Sequence, residues 1–245
     1  VADLVSQGRY TFCPYDARLK VHTIWDMGWN GACTIHLVQS DLSALRIVGY
    51  LEGRFIKIDE WAALLNAMPI NWGWDWLPHD GHNQSRQTRM SDYDILRQNK
   101  RRVRGRNDGI PDVPVETGMR VLRQTFPRIY LHKDQGELIP AAYKDETKKI
   151  LPGLLYYTTA RLLECWKRFR YNIPKHGEPQ SPVADEYMHA CDGSRYMALA
   201  APRLSNENDW EGRGNQVVVQ SSYDSGLGTL GTIAVFMIAT GGFLC

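Results

Sequence analysis

Three places along the chain put acidic side chains where a divalent cation could be held. Asp26 closes the string Val21-His22-Thr23-Ile24-Trp25-Asp26-Met27-Gly28, which reads as a strand running into glycine. A carboxylate at a strand end, followed by a residue free to turn sharply, sits on the rim of a sheet with its oxygens available. An isolated Asp-x-Gly serves equally well as a turn former. Asp80 repeats the arrangement in Leu77-Pro78-His79-Asp80-Gly81, after Trp72, Trp74 and Trp76 at strand period. Asp75 lies inside that strand, on the face opposite the tryptophans, and is less open to a large substrate. At the third place Asp185, His189 and Asp192 are four and then three residues apart, one stripe of a helix predicted over about Val183 to Ala200. Such a stripe on an alanine-rich helix is costly to bury unless a cation compensates it. The same spacing also suits a solvated face. Glu52, ending the third predicted strand, is a further candidate for the same site.

Carboxylates drawn from separate elements are what a pair of hard cations needs. Mg²⁺ prefers oxygen ligands, and an imidazole widens the tolerance toward Mn²⁺. Two such ions about 3.5–4 Å apart activate a water and stabilise the leaving oxygen in phosphodiester hydrolysis. A zinc hydrolase built on His79, Asp80 and His189 is the competing metal chemistry, and the excess of acids over imidazoles speaks against it.

The elements expected to position these groups begin with strands over Val21–Asp26, Cys33–Gln39 and Leu45–Leu51, whose short turn-rich connections imply an antiparallel meander. A helix over Ile58–Met68, stopped by Pro69, and a strand over Asn71–Leu77 follow. A helix from near Ser91 then leads to a short strand at Val113–Glu116, and this βαβ-like crossover returns to a parallel neighbour. Helices are predicted over Thr117–Thr125, over about Ile150–Tyr171, and over the stretch that carries His189. The expectation is an α/β fold with a mixed sheet, an antiparallel meander extended by parallel strands and flanked by helices.

Bulk properties set bounds but name no partner. The chain of 245 residues is 43% hydrophobic, enough for a proper core, and its net charge is +2. Cys13, Cys33, Cys165, Cys191 and Cys245 are odd in number and scattered, so neither a disulfide framework nor a zinc ribbon is suggested. No signal peptide is apparent, and the longest apolar run, Thr232–Ala239, falls far short of the roughly 20 residues of a membrane span. A reducing cytoplasm without membrane contact is the expected setting.

The segments around Asp26 and Asp80, together with Asp185-Glu186-Tyr187-Met188-His189-Ala190-Cys191-Asp192-Gly193-Ser194-Arg195-Tyr196, resemble in order and spacing the nuclease domain of tailed-phage terminase large subunits. The match covers about residues 8–205, and the His-x-x-Asp step before an Arg-Tyr pair is its most diagnostic part. The resemblance implies an RNase H-like fold, with Asp26, Asp80 and Asp192 as a catalytic acidic triad. It also implies that His189, with Asp185 as a further candidate, helps those acids bind two Mg²⁺ or Mn²⁺ ions. The implied activity is cleavage of double-stranded DNA with little sequence preference during genome packaging in the host cytoplasm. The implied partners are the terminase ATPase domain, the portal and the small terminase subunit. Gly31 departs from the family pattern, which often has Asp there, and Gly193 stands where alanine is usual. No phosphate loop Gly-x-x-x-x-Gly-Lys-Ser/Thr is present, so ATP hydrolysis is not assigned to this chain. The expected layout is a connecting segment at 1–19, a nuclease domain at 20–205 and a tail at 206–245. A module that binds DNA or docks on the motor, with its nuclease silent in isolation, is the alternative.

Between Arg97 and Arg128 nine basic residues face three acidic ones. Lys100, Arg101, Arg102, Arg104 and Arg106 form the densest part, suited to DNA phosphates without sequence readout. A solvated helix end would carry the same charges. Trp72, Trp74 and Trp76 are expected in the core rather than as a base-stacking platform.

Overall fold

β-branched and aromatic residues fill 21–26, 33–40 and 45–53, and these stretches pair as the antiparallel centre of a sheet. The computed structural model describes residues 1–207 apart from 29–30, 42, 86–88, 135, 146, 148–149 and 173–181. In chain order the elements are α1 (Ala2–Ser6), β1 (Tyr10–Thr11), β2 (Val21–Asp26), β3 (Cys33–Ser40), β4 (Leu45–Gly53), α2 (Ile58–Ala67) and β5 (Trp72–Trp76). A 3-10 turn at His79–His82, α3 (Asp92–Gln98), α4 (Val115–Thr125), a 3-10 turn at Phe126–Arg128 and β6 (Ile129–His132) follow. The described part closes with α5 (Ala141–Lys144), β7 (Leu154–Tyr156), α6 (Thr159–Arg168), α7 (Met188–Ala200) and a 3-10 turn at Ala201–Arg203.

The strands form one sheet in the order β1-β6-β4-β3-β2-β5, and β7 pairs antiparallel with β4. β5 joins β2 in parallel, β6 joins β4 in parallel, and β1 joins β6 in parallel. This is the expected mixed sheet. Alternation of side chains splits its core into two layers. Val21, Trp25, Ile35 and Leu37 pack with Trp61, Leu64 and Leu65 of α2 and Leu96 of α3. Ile24, Val38 and Tyr50 pack on the other face with Met119 of α4, Leu162 of α6 and Met197 of α7. Asp26, two residues after Ile24, belongs to this second face, and α7 runs across it.

Four expectations are corrected. No strand forms at 113–116, because Pro114 caps α4 and that helix begins at Val115. The strand that follows β5 in the chain is instead β6, which pairs in parallel with β4 and, at 4 residues, has too short a pattern to read in isolation. The helix expected from Ile150 starts only at Thr159, since 154–156 pair with β4 as β7. α7 begins at Met188 rather than Val183: the Asp185 carboxylate accepts from the backbone N–H of Tyr187, a local turn that competes with helix. Residues 1–19 contribute Leu4 to the core and β1 to the sheet edge, and they fall within the compact unit Val1–Glu207. The tail expected at 206–245 and the proline-rich loop at 173–182 lie mostly outside the described residues. Among the described residues no helix is long and apolar enough to cross a membrane.

The strap after α7 is fastened by a buried histidine. His22 Nε2 lies 3.0 Å from the carbonyl of Ser205, while Nδ1 accepts from the backbone N–H of Trp74 at 3.1 Å. Only the neutral ring with its proton on Nε2 satisfies both contacts. Burial pushes its pKa down to about 4. The unfolded chain therefore binds more protons between pH 6.5 and 4, so His22's contribution is full above that window and is lost as pH falls through it. At about 1.4 kcal/mol per unit, roughly 2–3 kcal/mol is at stake. The stability difference between the parent and His22→Asn, from urea titrations, should shrink by that amount between pH 7.5 and 4.5. Parallel pH dependences would exclude this role.

Candidate functional site

Asp26 ends β2 on the α7 face and is 9% exposed. His189, in the first turn of α7, places Nδ1 at 2.9 Å from Asp26 Oδ2. Burial raises the Asp26 pKa to about 6 against the lowering pull of His189, and the charges of Asp192 and Asp80 raise it further. The hydrogen bond to Asp26 in turn raises the pKa of His189. Asp192, one turn further along α7, accepts from Arg195 Nε at 3.0 Å. Asp80 does not end β5 itself; it sits in the exposed 3-10 turn that follows. That turn is pressed against the Asp26 loop, for a Cβ on Gly81 would stand 2.8 Å from the sulfur of Met27. The fold thus brings Asp80, His189 and Asp192 within electrostatic reach of Asp26.

Other candidates stand apart. Asp185 lies outside α7 and faces Arg170 at 3.6 Å, so it leaves the expected stripe. Glu52 shares the row of Asp26 and Thr34 two strands away, and its charge still reaches His189 and raises that imidazole's pKa. Arg161 takes the Glu52 carboxylate at 3.0 Å, and Tyr50 donates to it. Asp75 is buried by a two-pronged bond with Arg101 and by the hydroxyl of Thr23. His79 faces Asp112 at 3.9 Å.

Both glycine departures have a steric cause. A Cβ on Gly31 would lie 2.6 Å from His189 Nε2, so the imidazole occupies the room an acid at 31 would need. At Gly193, in the middle of α7, a Cβ would meet His36 Cε1 at 2.5 Å and Thr34 Oγ1 at 3.1 Å. His36 is fully buried against Tyr50 and Ser194 and has little room to yield. Gly193→Ala should therefore lower stability by about 1–3 kcal/mol despite alanine's better helix propensity, as read from the thermal midpoint.

No protein-family model matches the chain, and neither does any curated protein sequence. Solved structures do. The large terminase nuclease domain of P22 superposes with a TM-score of 0.51 at 15% identity, over 81% of this chain and 90% of that one. The large terminase of a thermophilic bacteriophage, in complex with ATP-γ-S, gives a TM-score of 0.54 at 12% identity, over 81% of this chain and 44% of that one. This chain has the terminase nuclease fold. It spans less than half the length of the thermophilic phage's protein, and its sheet is the RNase H-like mixed sheet of these nuclease domains.

On this terminase nuclease fold the basic cluster divides. Residues 101–104 run beside β5, with Asp75 N–H donating to Arg102 O and Arg104 N–H to Asp75 O. Arg101 consequently turns inward, 7% exposed, onto Asp75 and over the Trp72 ring at 4.3 Å. All three of its nitrogens are taken up inside the protein, by Asp75 and Asn66, which corrects the DNA-binding expectation for that residue. Arg102 and Arg104 stack on Trp74 at 4.4 and 4.2 Å. Lys100 and Arg106 are exposed. Of the three tryptophans only Trp76 is fully buried; Trp72 and Trp74 are half-buried with arginines on their faces. The strip adjoins the acids, since His82, on the turn of Asp80, feels the charges of both Arg106 and Asp80.

Two neighbours of the site received no role from the sequence. Arg195 is legible in retrospect as the i,i+3 partner of Asp192. Asp92, at the start of α3, lines a cavity of about 360 Å³ with Asp80 and Met27, and burial together with the charge of Asp80 raises its pKa. No sequence spacing announces that approach.

Proposed function

We propose that the chain is a divalent-metal-dependent endonuclease that cuts double-stranded DNA during phage genome packaging. One observation carries this reading: on a terminase nuclease fold, the buried Asp26 carboxyl meets the charges of Asp80 and Asp192, which arrive from two other elements. The donor chemistry fits Mg²⁺ or Mn²⁺. Asp80 and Asp192 place like charge within reach of the Asp26 carboxyl, and a cation would relieve that repulsion, with the His189 imidazole at hand. Among the described residues no three such groups already stand at metal-holding separations. Asp26 and Asp192 are instead engaged by His189 and Arg195.

Asp26, Asp80, Asp192 and His189 are the residues that would hold the ions. When bound, two ions supply Lewis-acid activation of the attacking water and neutralise charge at the departing oxygen. The chain's own residues do the rest. Asp26 is kept on a rigid strand end, so its orientation costs little on binding. His189 holds a proton against Asp26 and fixes that carboxylate's direction. Arg102, Arg104, Arg106 and Lys100 supply positive charge for backbone phosphates beside the acids, giving affinity without base readout.

The ATPase domain, portal and small terminase subunit are the proposed partners, and the host cytoplasm the proposed place of action. Supercoiled plasmid incubated with Mn²⁺ or Mg²⁺ should be nicked and then degraded, and Asp26→Asn, Asp80→Asn or Asp192→Asn should stop this. Full cutting by all three variants would remove the reading. A second reading is favoured by the His189–Asp26 and Arg195–Asp192 bonds: the site rests closed, and the isolated chain binds DNA without cutting until its motor engages. Salt-sensitive binding with no cleavage at any Mn²⁺ concentration would select it.

A further inference from the structure

An Arg-Tyr pair follows Asp192 on α7. Arg195 lies one turn beyond Asp192, and its Nε donates to Asp192 Oδ1 at 3.0 Å. Its guanidinium carbon sits 4.3 Å from the centroid of the Tyr196 ring. α4 crosses behind it at Gly118, where a Cβ would stand 2.7 Å from both Cγ and Cδ of Arg195. A missing side chain on one helix, an aromatic ring and a carboxylate together hold the long side chain in a single socket. Arg195 is 6% exposed and is also hydrogen-bonded to Tyr196, so it loses little freedom when it binds a ligand, and the remaining donors of its fork are open to an acceptor only where the side chain lines a cavity.

A cavity opens beside that socket. It measures about 230 Å³ and is lined by Arg195 and Tyr196 together with Pro78, His79, Pro111 and Val115. One wall belongs to the segment that leads into Asp80, and the other to the helix that carries Asp192. A ligand lying there would touch the segment before Asp80 and the helix that carries Asp192. The lining combines a fixed guanidinium, an imidazole and a phenol with proline and valine carbons. That mixture suits an anionic phosphate joined to a sugar.

We propose that Arg195 is a phosphate-binding residue of the cleavage site, and that this cavity receives a backbone phosphodiester of duplex DNA next to the one that is cut. The proposal rests on the nuclease reading above and adds the residue that seats the strand. Asp112 also lines the cavity, with its side chain 75% exposed, and opposes an anion there.

The test is the salt dependence of binding to a short duplex, measured without divalent metal so that cleavage plays no part. Arg195→Gln should flatten the slope of log K against log[salt] by about 0.9, one phosphate contact, whereas Arg195→Lys keeps the slope. Loss of a purely structural ion pair would change the melting temperature and leave that slope alone. Because Arg195→Gln can destabilise α7, two exposed positions on the same cavity provide fold-neutral arms. Val115→Glu should weaken binding severalfold, and Asp112→Asn should tighten it. A folded Arg195→Gln with the parental slope, or Val115→Glu binding like the parent, would overturn the proposal. The nuclease reading fails separately: Asp26→Asn would then cut plasmid as the parent does with Mn²⁺, whatever the slopes show.

Discussion

Asp26→Asn is expected to lower the rate of plasmid cleavage by more than about 100-fold, beyond the 10–100-fold typical of a residue that merely supports a metal ligand. The substitution keeps the shape of the side chain and its bond to His189, so the fold should survive. It removes the negative charge about which Asp80, Asp192 and His189 are arranged. Isothermal titration with Mn²⁺ should show weaker binding in step with the lost activity. Weakened metal binding with parental cleavage would place the reaction elsewhere. Loss of both, with an unchanged melting curve, would place it at Asp26.

Arg101→Ala is expected to lower stability by about 3–5 kcal/mol, the usual result of stranding one member of a buried ion pair. Asp75 and Arg101 have side chains 1% and 3% exposed, so the substitution strands the carboxylate away from solvent with only the Thr23 hydroxyl left beside it. Replacing both, as Asp75→Leu with Arg101→Met, should recover much of the loss, because two apolar side chains need no partner. Denaturant titration of the single and double variants checks this. The salt slope of DNA binding offers an independent check. It should stay parental in folded Arg101→Ala, whereas Arg106→Ala should lower it by about 0.9 if that residue touches one phosphate. A slope that falls in Arg101→Ala with little loss of stability would return Arg101 to the DNA surface.

Arg101 also shows where a linear pattern stops being informative. Lys100-Arg101-Arg102-Val103-Arg104-Gly105-Arg106 reads as one basic run. Once 101–104 lie alongside β5, alternation sends Arg101 and Val103 inward, and Arg102 and Arg104 onto Trp74. Charge counted along the string cannot separate a solvated cation from a buried one. The Asp185–His189–Asp192 spacing misleads in a similar way, because Asp185 lies before the helix, which begins at Met188.

The sequence by itself determined the meander, α2, the Ser91-capped start of α3 and the placing of Asp26 at a strand end, because alternation, capping and turn chemistry act between residues a few positions apart. It also singled out His189 and Asp192 as neighbours on one helix. Tertiary structure decided what those residues meet. His189 and Asp26 are 163 positions apart in the chain and touch only because α7 crosses the face of β2. The insertion of β6 beside β4, the diversion of Glu52 to Arg161 and the clearance that Gly31 and Gly193 leave for two histidines are likewise products of packing. Each depends on which surfaces come together, and a periodicity local to one segment carries no record of the partner it will meet.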